Sequence, residues 1–138
     1  MNVGALLRLI RPPNVFTAMA DALAGLLVLW GLGIEVPDRA TAVLIASACL
    51  YLSGIVLNDV FDRDIDARER PTRPIPSGEV TVGFAAMLGV GLMVAGVAIA
   101  ATLGRTPAIV ATVLAASSVT LVHSAVAGAA PAPSGSAL

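Results

Sequence analysis

The 138-residue chain has no lysine, one cysteine, one histidine and little charge of either sign. Its eight basic residues are all arginine, and Asp, Glu, Lys and Arg together make up 12% of the sequence. An ordinary soluble domain carries about a quarter charged residues. The single Cys49 excludes a disulfide scaffold, and a formal net charge of −1 argues against a nucleic-acid partner. A composition that is 57% hydrophobic before the 13 glycines are counted excludes disorder. What is left is a chain made for lipid, an all-α membrane protein.

Four apolar runs, at residues 15–34, 41–60, 82–103 and 107–127, each approach the ~20 residues that cross a ~30 Å hydrocarbon core. They lack the polar and apolar alternation of barrel strands, so four transmembrane helices are expected. Asp38 and Ser77 supply capping side chains ahead of the second and third. Gly25, Gly54, Gly89, Gly91 and Gly96 suit close helix packing in lipid. Arginine placement orients the chain: Arg8 and Arg11 precede the first span, Arg39 and Arg105 stand alone in the first and third loops, and Arg63, Arg68, Arg70 and Arg73 crowd the second. The N-terminus and the 61–81 loop are therefore expected on the cytoplasmic side, as in a bacterial inner membrane. Ala18-Met19-Ala20 has the form of a signal-cleavage site but falls too early in the apolar run, so the first helix reads as a retained anchor. Residues 1–123 form the expected transmembrane part. Residues 124–138, with no charge and no aromatic ring, read as a low-complexity tail.

The informative segment is Asn58 to Gly78, where acid and base alternate. Continued as a helix at ~100° per residue, Asn58, Asp59, Asp62 and Asp66 fall on one face and Asp64 on another. Like charges at i,i+4 repel, so a cation is expected among them. Neighbouring arginines, Ca²⁺, or Mg²⁺ shared with a phosphorylated ligand would each serve. Asp62, Asp64 and Asp66 match the start of an EF-hand loop, but the turn glycine is Ala67 and the bidentate glutamate is Arg73. Mg²⁺ suits the set better, since it takes one or two carboxylates plus substrate phosphates, and Arg70 and Arg73 could fork onto the remaining phosphate oxygens. The alternative is a solvated loop whose Asp and Arg pair with one another.

Asn58-Asp59-x-x-Asp62-x-x-x-Asp66, followed by Arg70-Pro71-x-Arg73-Pro74-Ile75-x-Ser77-Gly78, resembles the first aspartate-rich motif of the UbiA-type intramembrane prenyltransferases. The opening Arg11-Pro12-Pro13-Asn14 is similar to that family too, and within it the chain is most similar to the EboC-like members. The resemblance implies a bundle of about nine transmembrane helices around a cavity open to the bilayer. It also implies transfer of an isoprenyl group from a prenyl diphosphate to an aromatic or other lipophilic acceptor. In that scheme Asn58, Asp62 and Asp66, with Asp59 beside them, hold Mg²⁺ against the diphosphate, and metal and arginine charge stabilise the leaving group.

The resemblance covers the first four helices, about half of a family protein. After Val82 there is no Asp, Glu or Lys, so the family's second aspartate-rich motif is not present. A fragment, a truncated gene or an altered reading frame would each account for this. The missing half, or another membrane subunit, is then an expected partner. The competing functional reading is a non-catalytic membrane accessory or transport component. Asp21, two turns inside the first span, is an ionisable group where such groups mark function; with Asn14 and Thr17 it forms a polar stripe expected to turn toward a substrate cavity. Tyr51, on the Asn58 face, reads as a core ring or as a π face toward a developing cation. His123 has no partner at metal-ligand spacing, Cys49 reads as a buried small hydrophobe, and Trp30 as an outer-interface anchor.

Overall fold

A computed structural model describes residues 3–36 and 38–128, with side chains described as far as Thr120. His123 and the whole of the expected tail lie outside the described side chains. Six helices follow one another: α1 Val3–Ile10, α2 Pro12–Gly31, α3 Ala40–Phe61, α4 Arg63–Glu69, α5 Val82–Thr102 and α6 Arg105–Gly128. No strand occurs among the described residues. Three helices, α2, α3 and α5, are long and apolar enough to cross a membrane, within a few residues of the first three expected spans. The fourth expected span is helical, as α6, but is not among those three.

Prolines and a strained arginine set the start of α2. Pro12 and Pro13 occupy its first turn, where a missing N–H costs nothing and a fixed φ favours the helix. Arg11, just before them, adopts the left-handed conformation at φ 47°, and no other described non-glycine residue has positive φ. This corner separates α2 from α1, a short helix absent from the sequence reading. Its Ala5 and Leu9, one turn apart, are fully buried. They join Val56 of α3, Ala85 of α5 and the loop residues Ile75 and Val80 in one core at the end of the bundle that carries the charged loop.

The tightest packing is α3 against α5, and only two of the five singled-out glycines produce it. A Cβ on Gly89 would sit 2.7 Å from the Leu57 side chain, and one on Gly96 would sit 2.8 Å from Leu50 Cγ and 3.2 Å from the Ala46 carbonyl oxygen. With Ala85 and Ala100 these glycines form the buried stripe of α5, which is how small residues bring helix backbones together. Gly25, Gly54 and Gly91 instead face open space. The capping expectation is also corrected. Thr81 caps α5 by accepting from Phe84 N at 3.3 Å, because α5 starts at Val82, five residues after Ser77; α3 has no side-chain cap. At the other end of the bundle Arg39 donates to the Thr102 carbonyl at 3.1 Å, placing a cation at the negative end of α5.

Candidate active site

The aspartate-rich segment keeps helical register through a break. α3 ends at Phe61, Asp62 takes φ −80° and ψ 2°, and α4 begins at Arg63. The i to i+4 hydrogen bonds nevertheless run on: Asp62 N to Asn58 O at 2.9 Å, Asp66 N to Asp62 O at 2.8 Å, and Arg70 N to Asp66 O at 2.8 Å. Asn58, Asp62, Asp66 and Arg70 thus follow one another along a single ladder, whereas the face expected from sequence held Asn58, Asp59, Asp62 and Asp66. Pro71 then ends the helix, since the residue before a proline is pushed out of the helical region, and Arg70 has φ −142°.

The side chains divide into a closed group and an open one. Asp59 and Asp66 are buried, 3% and 4% exposed. Arg11 Nη2 donates to Asp59 Oδ1 at 2.7 Å, and Arg73 Nη1 donates to the same oxygen at 3.3 Å and to Asp66 Oδ2 at 2.5 Å. Two carboxylates and two guanidiniums therefore neutralise each other, which is what makes burial of these charges tolerable. The open group is Asn58 and Asp62, where the amide Nδ2 donates to Asp62 Oδ2 at 2.8 Å. Asp64 lies apart, its exposed carboxylate 3.5 Å from Arg63. Arg68 and Arg70 are exposed and form no ion pair among the described residues.

Arg73 is placed by its loop. Its N–H bonds to Arg70 O at 3.0 Å, its carbonyl accepts from Ser77 N at 2.9 Å, and Val80 N closes on Pro74 O at 2.9 Å. Gly78 turns the chain at φ 77°, a conformation that costs glycine nothing. Buried Pro74, Ile75 and Val80 anchor the loop on the α1 core, and an ion pair from Arg8 to Glu79 ties α1 to its far end.

Of the expected metal ligands, Asn58 and Asp62 come together, whereas Asp66 is held by Arg73. Among the described residues no three His, Cys, Asp or Glu side chains gather as a metal-holding group. Arginine serves as the neighbouring cation for Asp59 and Asp66. The donor chemistry at the open face still fits Mg²⁺: the Asn58 amide oxygen and the Asp62 carboxylate are hard oxygen ligands at a partly exposed position, and Mg²⁺ needs few protein ligands when phosphate completes its shell.

A cavity of about 880 Å³ lies between α2, α3 and the start of α6. Its walls are mainly apolar, with Thr17, Asp21, Ser47, Tyr51 and Thr106 as polar points. Asp21 and Thr17 thus line a cavity together, as the polar stripe suggested, while Asn14 is exposed and outside the lining. Tyr51 borders the cavity and is 39% exposed, so it is not a packed core ring. Cys49 is half-buried rather than buried, and Trp30 is largely exposed near the far end of α2. Sequence reasoning assigned no role to the Arg11 side chain or to the Arg8–Glu79 pair. The only signal for Arg11 was its place in the Arg-Pro-Pro-Asn opening.

Among the described residues, an apolar bundle of helices with a cluster of Asp and Arg at one end has the character of an integral membrane protein. The match to known proteins makes the class specific. Residues 18–131 match the model of the UbiA prenyltransferase family, and the chain belongs to that family. Among its curated relatives are proteins named digeranylgeranylglyceryl phosphate synthase. The one from Methanothrix thermoacetophila is 41% identical over 102 residues, covering 72% of this chain and 37% of the relative. That from Methanoculleus marisnigri is 39% identical over 72% of this chain and 35% of the relative, and that from Saccharolobus solfataricus 32% identical over 83% and 40%. None of the three carries the EboC-like name. The chain spans roughly two fifths or less of the length of these relatives. No solved structure gives a significant match.

Proposed function

We propose that the chain takes part in Mg²⁺-dependent transfer of an isoprenyl group from a prenyl diphosphate to a lipophilic acceptor, with the Asn58 to Arg73 segment at the cytoplasmic membrane surface and the N-terminus on the same side. Its carrying observation is the helical ladder that sets the open Asn58–Asp62 pair in register with Asp66 and Arg70. Asn58, Asp62 and Asp66 would hold the metal, with Asp59 behind them. When bound, Mg²⁺ offsets negative charge on the diphosphate. Arg70, exposed and without an ion pair among the described residues, and Arg73, once drawn off its carboxylates, would fork onto phosphate oxygens as the bond between the allylic carbon and oxygen breaks and the diphosphate leaves with the electron pair. The acceptor then bonds to that carbon and gives up its proton.

The cavity between α2, α3 and α6 suits the isoprenyl chain, with Tyr51 offering a π face and Asp21 with Thr17 a hydrogen-bonding point; Asn14 belongs nearer the mouth. In this reading α6 is a fourth membrane span. The relatives' name joins two geranylgeranyl groups to a glyceryl phosphate, so a geranylgeranyl donor and a lipid-phosphate acceptor are the first substrates to try, with aromatic acceptors beside them. A second aspartate-rich element, from this or another membrane subunit, would complete the site. The test is binding of a non-hydrolysable geranylgeranyl diphosphate analogue to the detergent-solubilised chain, titrated with and without Mg²⁺. Binding should require Mg²⁺ and disappear in Asp62→Ala; Mg²⁺-independent binding, or binding unchanged in that variant, overturns the assignment.

A further inference from the structure

We propose that Arg73 is a resident substitute for the metal, occupying Asp66 until an anionic ligand draws it away, so that cation and diphosphate bind only together. The inference rests on the functional reading above for the identity of the anion, and on geometry for the rest. Asp66 is buried, and its carboxylate is held by Arg73 Nη1 at 2.5 Å. A divalent cation on Asp66 would sit against that guanidinium, and its double charge would repel Arg73 about twice as strongly as the guanidiniums sharing Asp59 Oδ1 repel each other at equal distance. Arg73 therefore has to move first.

The surroundings make that move selective. Asp59, the second acceptor for Arg73, lies farther from it at 3.3 Å and keeps Arg11 at 2.7 Å. Withdrawal of Arg73 leaves Asp59 neutralised and frees Asp66 alone. The Arg73 side chain is 22% exposed, so it reaches the mouth, where a diphosphate offers the planar, forked contacts a guanidinium favours. Exposed Arg70, whose carbonyl accepts from Arg73 N, is placed to recruit the same anion. Each ligand then makes the other's site: the diphosphate vacates Asp66 for the metal, and the metal replaces the charge that Arg73 removed. Such coupling is reciprocal by thermodynamic necessity.

The experiment is a Mn²⁺ titration of the purified chain by electron paramagnetic resonance, without diphosphate, comparing the native chain with Arg73→Gln, Arg73→Lys and Arg63→Gln. Arg73→Gln empties Asp66 and should bind Mn²⁺ about tenfold or more tightly than the native chain, the range set by losing one charge-assisted contact. Arg73→Lys keeps a cation without the fork and should fall between them. Arg63→Gln removes an equal charge outside the cluster and should change little. Equal affinity in the native chain and a helical, cooperatively melting Arg73→Gln overturns the proposal, as does an equal gain in Arg63→Gln. Should Arg73→Gln not fold, an Arg73→Lys affinity equal to native overturns it. In a second arm the diphosphate analogue is titrated at several Mn²⁺ concentrations. The native chain should show a steep metal dependence and Arg73→Gln a shallow one; equal steepness overturns the coupling. No analogue binding by the native chain at any Mn²⁺ concentration sinks the prenyltransferase reading, while the metal-only comparison still decides the role of Arg73.

Discussion

Arg11 and Asp59 stand 48 positions apart in the chain and meet at 2.7 Å, joining the corner between α1 and α2 to the last turn of α3. Asp59 is 3% exposed while the Arg11 side chain is 37% exposed, so the pair is asymmetric: one partner depends on the other for its charge balance. Arg11 also holds the single positive φ among described non-glycine residues, a conformation costing about 1–3 kcal/mol that persists only where its surroundings fix it. Arg11→Ala should lower stability by about 1–2 kcal/mol, because Arg73 still serves Asp59. Arg73→Ala should cost more, about 3 kcal/mol, since it strips Asp66 of its partner and weakens Asp59. Thermal unfolding in detergent reads both; equal losses would show that Arg73 is not the hub of the cluster.

The helix interface between α3 and α5 gives a sharper contrast. Gly96→Ala drives a methyl group to within 2.8 Å of Leu50 Cγ and 3.2 Å of the Ala46 carbonyl, and the carbonyl belongs to backbone that cannot swing aside. A loss of about 1–3 kcal/mol is expected from such overpacking. Gly91→Ala, five positions earlier on the same helix, meets open space and should be neutral or stabilising by up to about 1 kcal/mol. Circular dichroism melts of the two variants check the order.

These glycines also mark how far the sequence could be read. Hydropathy alone located α2, α3 and α5, because in lipid the length of an apolar run nearly dictates a helix. The shared register of Asn58, Asp62 and Asp66 followed from the 3.6-residue period, which survives the break at Asp62. Which glycines pack was not legible: Gly89 and Gly91 have the same composition around them, and only the rotation of α5 against α3 separates them. Nor was the identity of the cation beside the acids. Arg70 and Arg73 looked alike on the page, yet the turn closed by Ser77 and Val80 sends Arg73 inward and leaves Arg70 outside. The short α1 escaped because eight residues are too few to span lipid. Its only signature was Ala5 and Leu9 at i,i+4.

Leu9 tests whether α1 is structural. It is fully buried against the core that also seats Ile75 and Val80, so Leu9→Ala should cost about 2–5 kcal/mol and loosen the loop carrying Arg73. Leu7, on the same helix and 48% exposed, should tolerate alanine within about 0.5 kcal/mol. Hydrogen exchange at Ser77 and Val80 amides, both bonded within the loop, should rise in the Leu9 variant and stay unchanged in the Leu7 variant.

Within the charged loop, function should follow the division between outward groups. Asp62 lies in register with the set proposed to hold the metal and Asp64 does not, although the two are near neighbours in sequence. Asp64→Ala should leave Mg²⁺-dependent binding of the diphosphate analogue within about twofold, since its one ion-pair partner among the described residues is exposed Arg63 at 3.5 Å. A loss in Asp64→Ala equal to that in Asp62→Ala would mean that net charge, rather than helical register, governs the site.

Asp21 allows a test in which stability and binding move in opposite directions. Its carboxylate lines an apolar cavity beside Thr17 and Tyr51, with no hydrogen bond or ion pair among the described residues. An ionisable side chain in the middle of a spanning helix costs about 2.5–3.5 kcal/mol on insertion scales, and nothing within the described fold offsets that. Asp21→Leu should therefore raise stability by about 1–3 kcal/mol, less than the insertion figure because the cavity admits water. If Asp21 is a hydrogen-bonding point for the bound lipid, the same variant should weaken the analogue several-fold, the trade between stability and activity that functional sites commonly carry. Asp21→Asn separates charge from hydrogen bonding: it should recover most of the affinity while keeping part of the added stability. A destabilised Asp21→Leu would instead assign the carboxylate a structural partner and remove it from the proposed substrate site.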